Sequence, residues 1–280
     1  MALAFEDWTG RTEERTEHVA REPFVRLAAM LDRENEAGEA HVPPLGHWLC
    51  FLPEAPQADL GPDGHPRGDG LYPPISLPMR MWAGSRLRFH APIAFGALIT
   101  RRSTLLDMRE KKGRSGPLAF LTVRHEVRAG EALCVTEDLD IVFRDRSGPR
   151  DNQPGERRIA DVSRTIEPTS ALLFRYSALT FNAHRIHYDR DYATKAEGYP
   201  GLVVHGPLLA TLLMDHFERH RPGETIRAFE FRAERPVYDL APFTVNLIDT
   251  STGAQLWAND ADGFVAMSAT IEAGWGGTER

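Results

Sequence analysis

The chain has 280 residues, 42% of them hydrophobic, enough to bury a substantial core as one large domain or as two of roughly 130–140 residues. A net charge of −7 and a pI near 5.9, without a basic stripe interleaved with aromatics, argue against a nucleic-acid partner. Cys50 and Cys134 stand far apart and outside any CxxC or Cys/His ligand spacing, so neither a zinc site nor a disulfide framework is indicated, and the expected compartment is reducing.

The first residues, MALAFEDWTGRTEERTEH, are charged and lack an apolar run of signal-peptide length, and no stretch approaches a span of about 20 apolar residues. A soluble cytoplasmic protein without membrane contact is expected. Residues Glu22 to Arg33 place Phe24, Leu27, Ala28 and Leu31 on one helical face, with Pro23 in the first turn. Pro44 to Phe51 reads as a helix or equally as a strand. The Gly- and Pro-rich residues 53–78 read as a long loop, which in a compact domain is more often functional than idle. Leu87, Phe89 and Ala91 alternate as in a strand with one buried face, and Leu118 to Val127 forms a further β-like run. The basic run Lys111-Lys112-Gly113-Arg114 reads as a solvated turn.

Charge, Gly and Pro crowd out apolar residues from Arg144 to Arg158, as expected of a linker. The second half then repeats the first faintly. Phe229, Phe231 and Ala233 alternate; Arg235-Pro236-Val237 precedes Thr244 at the offset that separates Ala91-Pro92-Ile93 from Thr100; and Phe264 to Ile271 forms another β-like run, matched here with Leu118 to Val127. The expected organisation is an N-terminal module at 1–143, a linker at 144–160 and a C-terminal module at 161–280.

Catalytic residue types concentrate between Tyr176 and Leu213. Asn182 and His187 lie five residues apart in a stretch without strong helix or strand period, followed by His205-Gly206-Pro207 and a helix apolar on most of its circumference. Pro207 suits the first turn of a helix, and the free N–H of Gly206 beside it suits an oxygen acquiring negative charge.

This stretch resembles the signature of the MaoC-like, R-specific enoyl-CoA hydratases and hydroxyacyl-thioester dehydratases, in which an Asp and a His five residues apart flank water and a downstream His-Gly opens a central helix. The Asp position is Asn182 here, the His is His187, and the helix opening is His205-Gly206. The segments Pro43-Pro44-Leu45-Gly46-His47-Trp48, Leu77 to Gly84 and Gly113-Arg114-Ser115-Gly116-Pro117 are similar to those of the two-module subgroup, which comprises the type 2 hydroxyacyl-thioester dehydratases and the mesaconyl- and itaconyl-CoA hydratases. The resemblance implies an α+β double hot-dog, two antiparallel sheets each wrapped round a central helix. The first module would shape the acyl pocket and the second would carry the hydratase motif.

The activity so implied is reversible hydration of an enoyl-CoA, most naturally a short branched dicarboxyl-CoA such as mesaconyl- or itaconyl-CoA. Water held between Asn182 and His187 would add to the β-carbon, with His187 taking its proton and returning one to the α-carbon. Asn182 cannot ionise and would orient water by hydrogen bonding. His184 and Asp189 flank the pair as auxiliary acid/base candidates, each also readable as a surface or second-layer polar residue. His205, Arg80, Trp82 and Arg67 are the substrate-binding candidates, and either arginine suits a carboxylate. Within the stretch His65-Pro66-Arg67-Gly68-Asp69, a solvated loop is an equal reading. No cofactor or metal is expected, since coenzyme A belongs to the substrate; the partner is an acyl-CoA, and a homo-oligomer is compatible. A fatty hydroxyacyl-thioester dehydratase, a thioesterase using Ser177 or Thr180 with His187, and a non-catalytic acyl-CoA-binding protein remain as alternatives. The absence of a Gly-x-Ser-x-Gly elbow weighs against the thioesterase.

Overall fold

A computed structural model describes residues 7–34, 40–67, 70–113, 116–145 and 155–274. Within them ten strands form one antiparallel sheet: β1 Thr12–His18, β2 Met79–Phe89, β3 Leu98–Gly113, β4 Gly116–Ala129, β5 Ala132–Arg144, β6 Val162–Ile166, β7 Thr225–Ala233, β8 Phe243–Thr250, β9 Gly253–Asn259 and β10 Val265–Gly274. Three α-helices accompany them, α1 Glu22–Met30, α2 Ser170–Leu179 and α3 Gly206–His220. The α+β architecture expected from the sequence is therefore present. Among the described residues no helix is long and apolar enough to cross a membrane.

The strand order is β1-β3-β4-β5-β2-β7-β10-β9-β8-β6, so each half supplies five neighbouring strands and the second half mirrors the first. The weak sequence repeat has a physical counterpart. The Val42 N–H donates to Ile93 O and the Val204 N–H donates to Val237 O, both at 2.8 Å, and each acceptor follows one of the two matched prolines. One pairing must be corrected. Residues 118–127 lie on β4, whose mirror position is β9, whereas Phe264 to Ile271 runs into β10, the counterpart of β5. The seven-residue β9 opens on Gly-Ala and carries less alternation than its neighbour, which drew the match one strand too far.

The central helix is fully developed in the second half alone. All ten residues from Leu208 to Phe217 in α3 are buried, and the helix packs on β8, β9 and β10. The expected counterpart, Pro44 to Phe51, shrinks to a single 3₁₀ turn over Gly46–Leu49, entered through Leu45 at φ 65° and left through Phe51 at φ 56°. Two successive prolines precede it, and Gly46 is wedged so tightly that a Cβ there would lie 2.5 Å from Val42 Cγ1 and 2.8 Å from the Phe24 ring. The helix read over Glu22 to Arg33 ends at Met30 and buries Phe24, Leu27 and Met30. Lys111 and Lys112 are exposed at the end of β3 rather than in a turn, while Arg114 and Ser115 lie outside the described residues. Residues 146–154 of the expected linker also lie outside them.

Asp215 ties α3 to the rest: its buried carboxylate receives Arg33 from beyond α1, Arg164 of β6 at 2.6 Å and Arg219 of α3 at 3.0 Å. The halves meet along β2 and β7, in a register running from Gly84 opposite Arg232 to Arg88 opposite Ala228. Gly84 is required there, because an added Cβ would stand 2.4 Å from Phe231 O. Ala83 forms a bulge against β5 immediately before it, re-aiming the strand. Gly84→Ala is expected to destabilise the protein by about 1–3 kcal/mol through backbone displacement at this seam. Urea denaturation tests it, and an unchanged midpoint would mean that the seam tolerates a Cβ.

Candidate active site

Helix α2 delivers the segment that holds the candidate residues Asn182 and His187. Thr169 caps it, with Oγ1 accepting the Leu172 N–H at 3.2 Å, and Leu173, Tyr176 and Ser177 face the core. The sequence hides this helix because its apolar residues form no clean stripe: Phe174 is 64% exposed. The helix stops at Phe181, a non-glycine residue in the left-handed region at φ 48°, and the Asn182 N–H returns to Ser177 O at 2.8 Å. That closure, a left-handed residue followed by a backbone bond reaching back five residues, is a Schellman end and fixes where Asn182 emerges. Asn182 Oδ1 accepts the His184 N–H at 3.0 Å, so the side-chain carbonyl shapes the turn and the amide N–H groups remain to orient a ligand.

His187 closes a short 3₁₀ turn over Arg185–His187. Its Nδ1 lies 2.7 Å from Val203 O and must carry the proton to donate there, which leaves Nε2 with a free lone pair. The His205 ring stacks on His187 at 3.7 Å between centroids and 20° between planes, and His205 Nε2 bonds Ser177 Oγ at 2.8 Å. Ser177 is thus paired with His205 rather than with His187, and Thr180 Oγ1 is occupied by Tyr176 O at 2.8 Å. The buried Nδ1 of His205 has no hydrogen-bond partner among the described residues. Gly206 opens α3, where a helix N–H has no partner within the helix, and a Cβ added there would meet Trp82 O alone, at 3.9 Å. Trp82 of the first half thus borders the start of α3.

The loop preceding β2 packs on the segment between Asn182 and His187. The Arg185 N–H donates to Asp63 O at 2.8 Å and Arg185 Nη1 to Pro62 O at 2.9 Å, while a Cβ on Gly64 would collide with Ala183 O at 1.8 Å. Glycine is needed at that close approach, where φ is +92°. His65 packs on His184 at 4.1 Å between ring centroids, and His184 meets His187 edge-on at 5.3 Å. Asp63, His65 and His184 each bring one metal-ligand-type atom to within 4.8 Å of the others, a donor set able to hold a divalent ion. No sequence spacing could have linked Asp63 to His184, and the sequence reading passed over Asp63.

The remaining candidates separate. Asp189 is committed to Arg185, at 2.7 Å, and to the Tyr192 N–H, at 3.0 Å, holding the turn after His187. Arg67 is exposed and donates to Leu60 O at 3.0 Å within its own loop. Arg80 makes no ion pair among the described residues; its guanidinium lies 5.0 Å from the Tyr72 ring and 5.9 Å from the Phe143 ring, and its charge reaches His184. Trp82 meets Trp48 edge-on at 5.0 Å and Phe231 at 6.2 Å. Both indoles are fixed by a buried carboxylate: Trp48 Nε1 donates to Glu137 Oε2 at 3.0 Å, and Trp82 Nε1 donates to Ser85 Oγ at 3.1 Å, which donates to Glu137 Oε1 at 2.7 Å. His47 Nε2 adds a third contact to Glu137, at 3.1 Å.

Burial sets the protonation states. It pushes His184 and His187 down to about 3, with repulsion from the neighbouring rings added, and lowers His205 well below the usual imidazole range. His125, against Ser103 at 2.9 Å, falls to about 4 for the same reason. Burial alone would raise Asp63 and Glu137, but hydrogen bonds and charge from His65 and from His47 respectively hold each at about 2. Three neutral imidazoles therefore pack against one another at pH 7, with the ionised Asp63 on the adjoining loop.

A family model described as hydroxyacyl-thioester dehydratase type 2 matches residues 44–239. The chain is 45% identical to a mesaconyl-C(4)-CoA hydratase of Chloroflexus aurantiacus, over 95% of this chain and 97% of that protein. Among solved structures, HtdX of Mycobacterium tuberculosis superposes with a TM-score of 0.68 at 19% identity, over 93% of this chain and 99% of its own. Another Mycobacterium tuberculosis protein, described as a double hotdog, superposes with a TM-score of 0.56 at 14% identity, over 95% and 96% of the two chains. The fold is thus the double hot-dog that the sequence motifs imply.

The lowered histidines make stability depend on pH in a defined direction. Each has a folded-state pKa below its ordinary 6.5, so the unfolded chain binds more protons as pH falls, and the stability they contribute is whole above about 6.5 and drains away towards 3–4. Asp63 and Glu137 add a loss beginning near their ordinary values of 3.8 and 4.5. Calorimetry should find Tm level from pH 8 to 7 and declining steadily below 6.5. A Tm that stays level down to pH 4.5 would show that these rings are not held neutral by burial.

Proposed function

The chain belongs to the type 2 hydroxyacyl-thioester dehydratase family, and from that premise we propose that it catalyses reversible hydration of an enoyl-CoA whose acyl group is a short branched dicarboxylate, such as mesaconyl or itaconyl. The observation that carries the reading is the bond from His187 to Val203 O, which leaves a neutral imidazole with a free Nε2 on a ring stacked against His205, the residue that precedes the N-terminus of α3. A thioester carbonyl set against the Gly206 N–H would gain enolate charge as the reaction proceeds, and the helix end would stabilise it. His187 Nε2 would remove a proton from water held by the Asn182 amide as the oxygen adds to the β-carbon, and fixing that water removes much of the entropic barrier. Coenzyme A would enter as part of the substrate, with no separate cofactor. In this reading residues 1–143 wall the acyl pocket through Trp48 and Trp82, residues 161–280 carry the motif, and 144–160 connect them.

The dicarboxylate assignment rests on the mesaconyl-CoA hydratase relative and on Arg80. A free carboxylate entering an apolar pocket needs a cationic partner, since burying it unpaired costs several kcal/mol. Arg80 offers a guanidinium without an ion-pair partner among the described residues, walled by aromatic rings and near His184. The family description also fits a dehydratase of longer hydroxyacyl thioesters, which a substrate panel separates.

Loss of conjugated thioester absorbance over a panel of mesaconyl-, itaconyl-, crotonyl- and long-chain enoyl-CoA tests the reading, with the dicarboxylates expected to react best. His187→Ala should lower kcat on the best substrate by about 10²–10⁴-fold with the fold intact. Near-normal turnover by that variant would remove His187 from the chemistry. Arg80→Ala should impair mesaconyl-CoA hydration selectively and spare crotonyl-CoA; equal losses on the two would assign Arg80 to the CoA portion or to the fold.

A further inference from the structure

Hydration moves two protons, one off water and one onto the α-carbon, and Asn182 cannot carry either. The residue that the family uses as a carboxylate is therefore missing its charge, and the fold brings another carboxylate onto a loop that packs on the segment after Asn182. Asp63 and His65 sit on the loop before β2, which Gly64 allows to approach Ala183 closely. Asp63 Oδ2 lies 3.1 Å from His65 Nδ1, and Asp63 Oδ1 accepts the His65 backbone N–H, also at 3.1 Å. The carboxylate thus fixes the ring and its tautomer: Nδ1 donates to Asp63, leaving Nε2 at the free corner, as Val203 O does for His187. The two side chains are partly open, 27% for His65 and 21% for Asp63, unlike the closed His187 and His205.

We propose that His65, oriented by Asp63, is the second catalytic proton carrier of this site and works on the α-carbon while His187 works on water. This deepens the hydratase reading and rests on it. In hydration, the water oxygen bonds to the β-carbon as its proton passes to His187 Nε2, the double-bond electrons move onto the α-carbon and thioester oxygen, and protonated His65 gives its Nε2 proton to the α-carbon. The proton left on His187 returns to His65 by way of the intervening His184 or solvent, so water alone is consumed. In dehydration, neutral His65 removes the α-proton and protonated His187 supplies the proton on which hydroxide leaves as water.

The test uses the full-length enzyme and whichever thioester the wild type turns over best. His65→Gln and the near-isosteric Asp63→Asn should each retain the wild-type circular dichroism, with Tm lowered for Asp63→Asn by the loss of a carboxylate that stabilises the fold when ionised. His65→Gln should lower kcat by about 10²–10³-fold, with KM within about threefold and a smaller loss for Asp63→Asn. In dehydration of the α-deuterated hydroxyacyl thioester, His65→Gln should raise the isotope effect on kcat, since the α-proton step becomes slower. Added imidazole should restore part of the activity of His65→Ala, which a scaffolding residue would not permit. A folded His65→Gln enzyme with wild-type kcat, a loss confined to KM, an unchanged isotope effect or no imidazole rescue would overturn the assignment. So would wild-type activity that is abolished by EDTA and restored by Zn²⁺, since the cluster would then be a metal site. Failure of the wild type on every enoyl thioester would instead overturn the hydratase reading itself.

Discussion

The pairing of β2 with β7 is the constraint from which the geometry of the site follows. It joins two mirrored five-stranded halves into one sheet, and it admits no side chain at Gly84, where the backbone of Phe231 stands too close. With that register set, the bulge at Ala83 turns the preceding residues so that Trp82 O borders Gly206 and the Trp82 ring meets Trp48 and Phe231. The loop before β2 can then lie across the catalytic segment of the other half, where Arg185 binds it at Pro62 and Asp63. A one-residue slip along β2 would turn the wall of the pocket to the opposite face.

Electrostatics inside this frame follow a simple division. Burial keeps His184, His187 and His205 neutral, so they can stand beside one another, stacked or edge-on, without mutual repulsion. The negative charges lie behind them: Asp63 supports His65, and Glu137 collects His47, Trp48 and Ser85 in the first half. Glu137 does no chemistry in this arrangement. Its three hydrogen bonds make a buried carboxylate tolerable and fix two indoles whose orientation van der Waals packing alone would leave loose. A preorganised site of this kind needs little rearrangement when charge develops on a substrate oxygen.

The first half has given up the central helix that defines the second. Val42 and Val204 make equivalent backbone bonds, so Pro43 and Pro44 stand where His205 and Gly206 stand in the repeat. Prolines at both places leave no N–H free at that point, and the chain folds into one 3₁₀ turn that presents His47 and Trp48 to Glu137 instead of opening a long helix. The two mirrored halves thus differ at this point, one carrying the N-terminus of a long buried helix and the other the paired indoles.

Much of the candidate site was legible because its residues are close in sequence and each type has a narrow chemistry. His187 five residues after Asn182, and Gly-Pro before a helix apolar on most of its circumference, could be read without coordinates, since Pro207 suits a first turn and Leu208, Leu209, Leu212, Leu213 and Met214 call for burial. Helix α2 was not legible, because the exposed Phe174 breaks its stripe and its end depends on Phe181 adopting a left-handed conformation that its side chain disfavours. The shortening of the first central helix and the exchange of β9 for β10 in the repeat were likewise decided by packing. By itself the sequence determined the fold class, the family and the polar residues carried on one short segment, all consequences of local pattern. The tertiary structure alone decided that Asp63 and His65 stand beside His184, more than a hundred residues away in the chain, because only a register between distant strands brings such residues together.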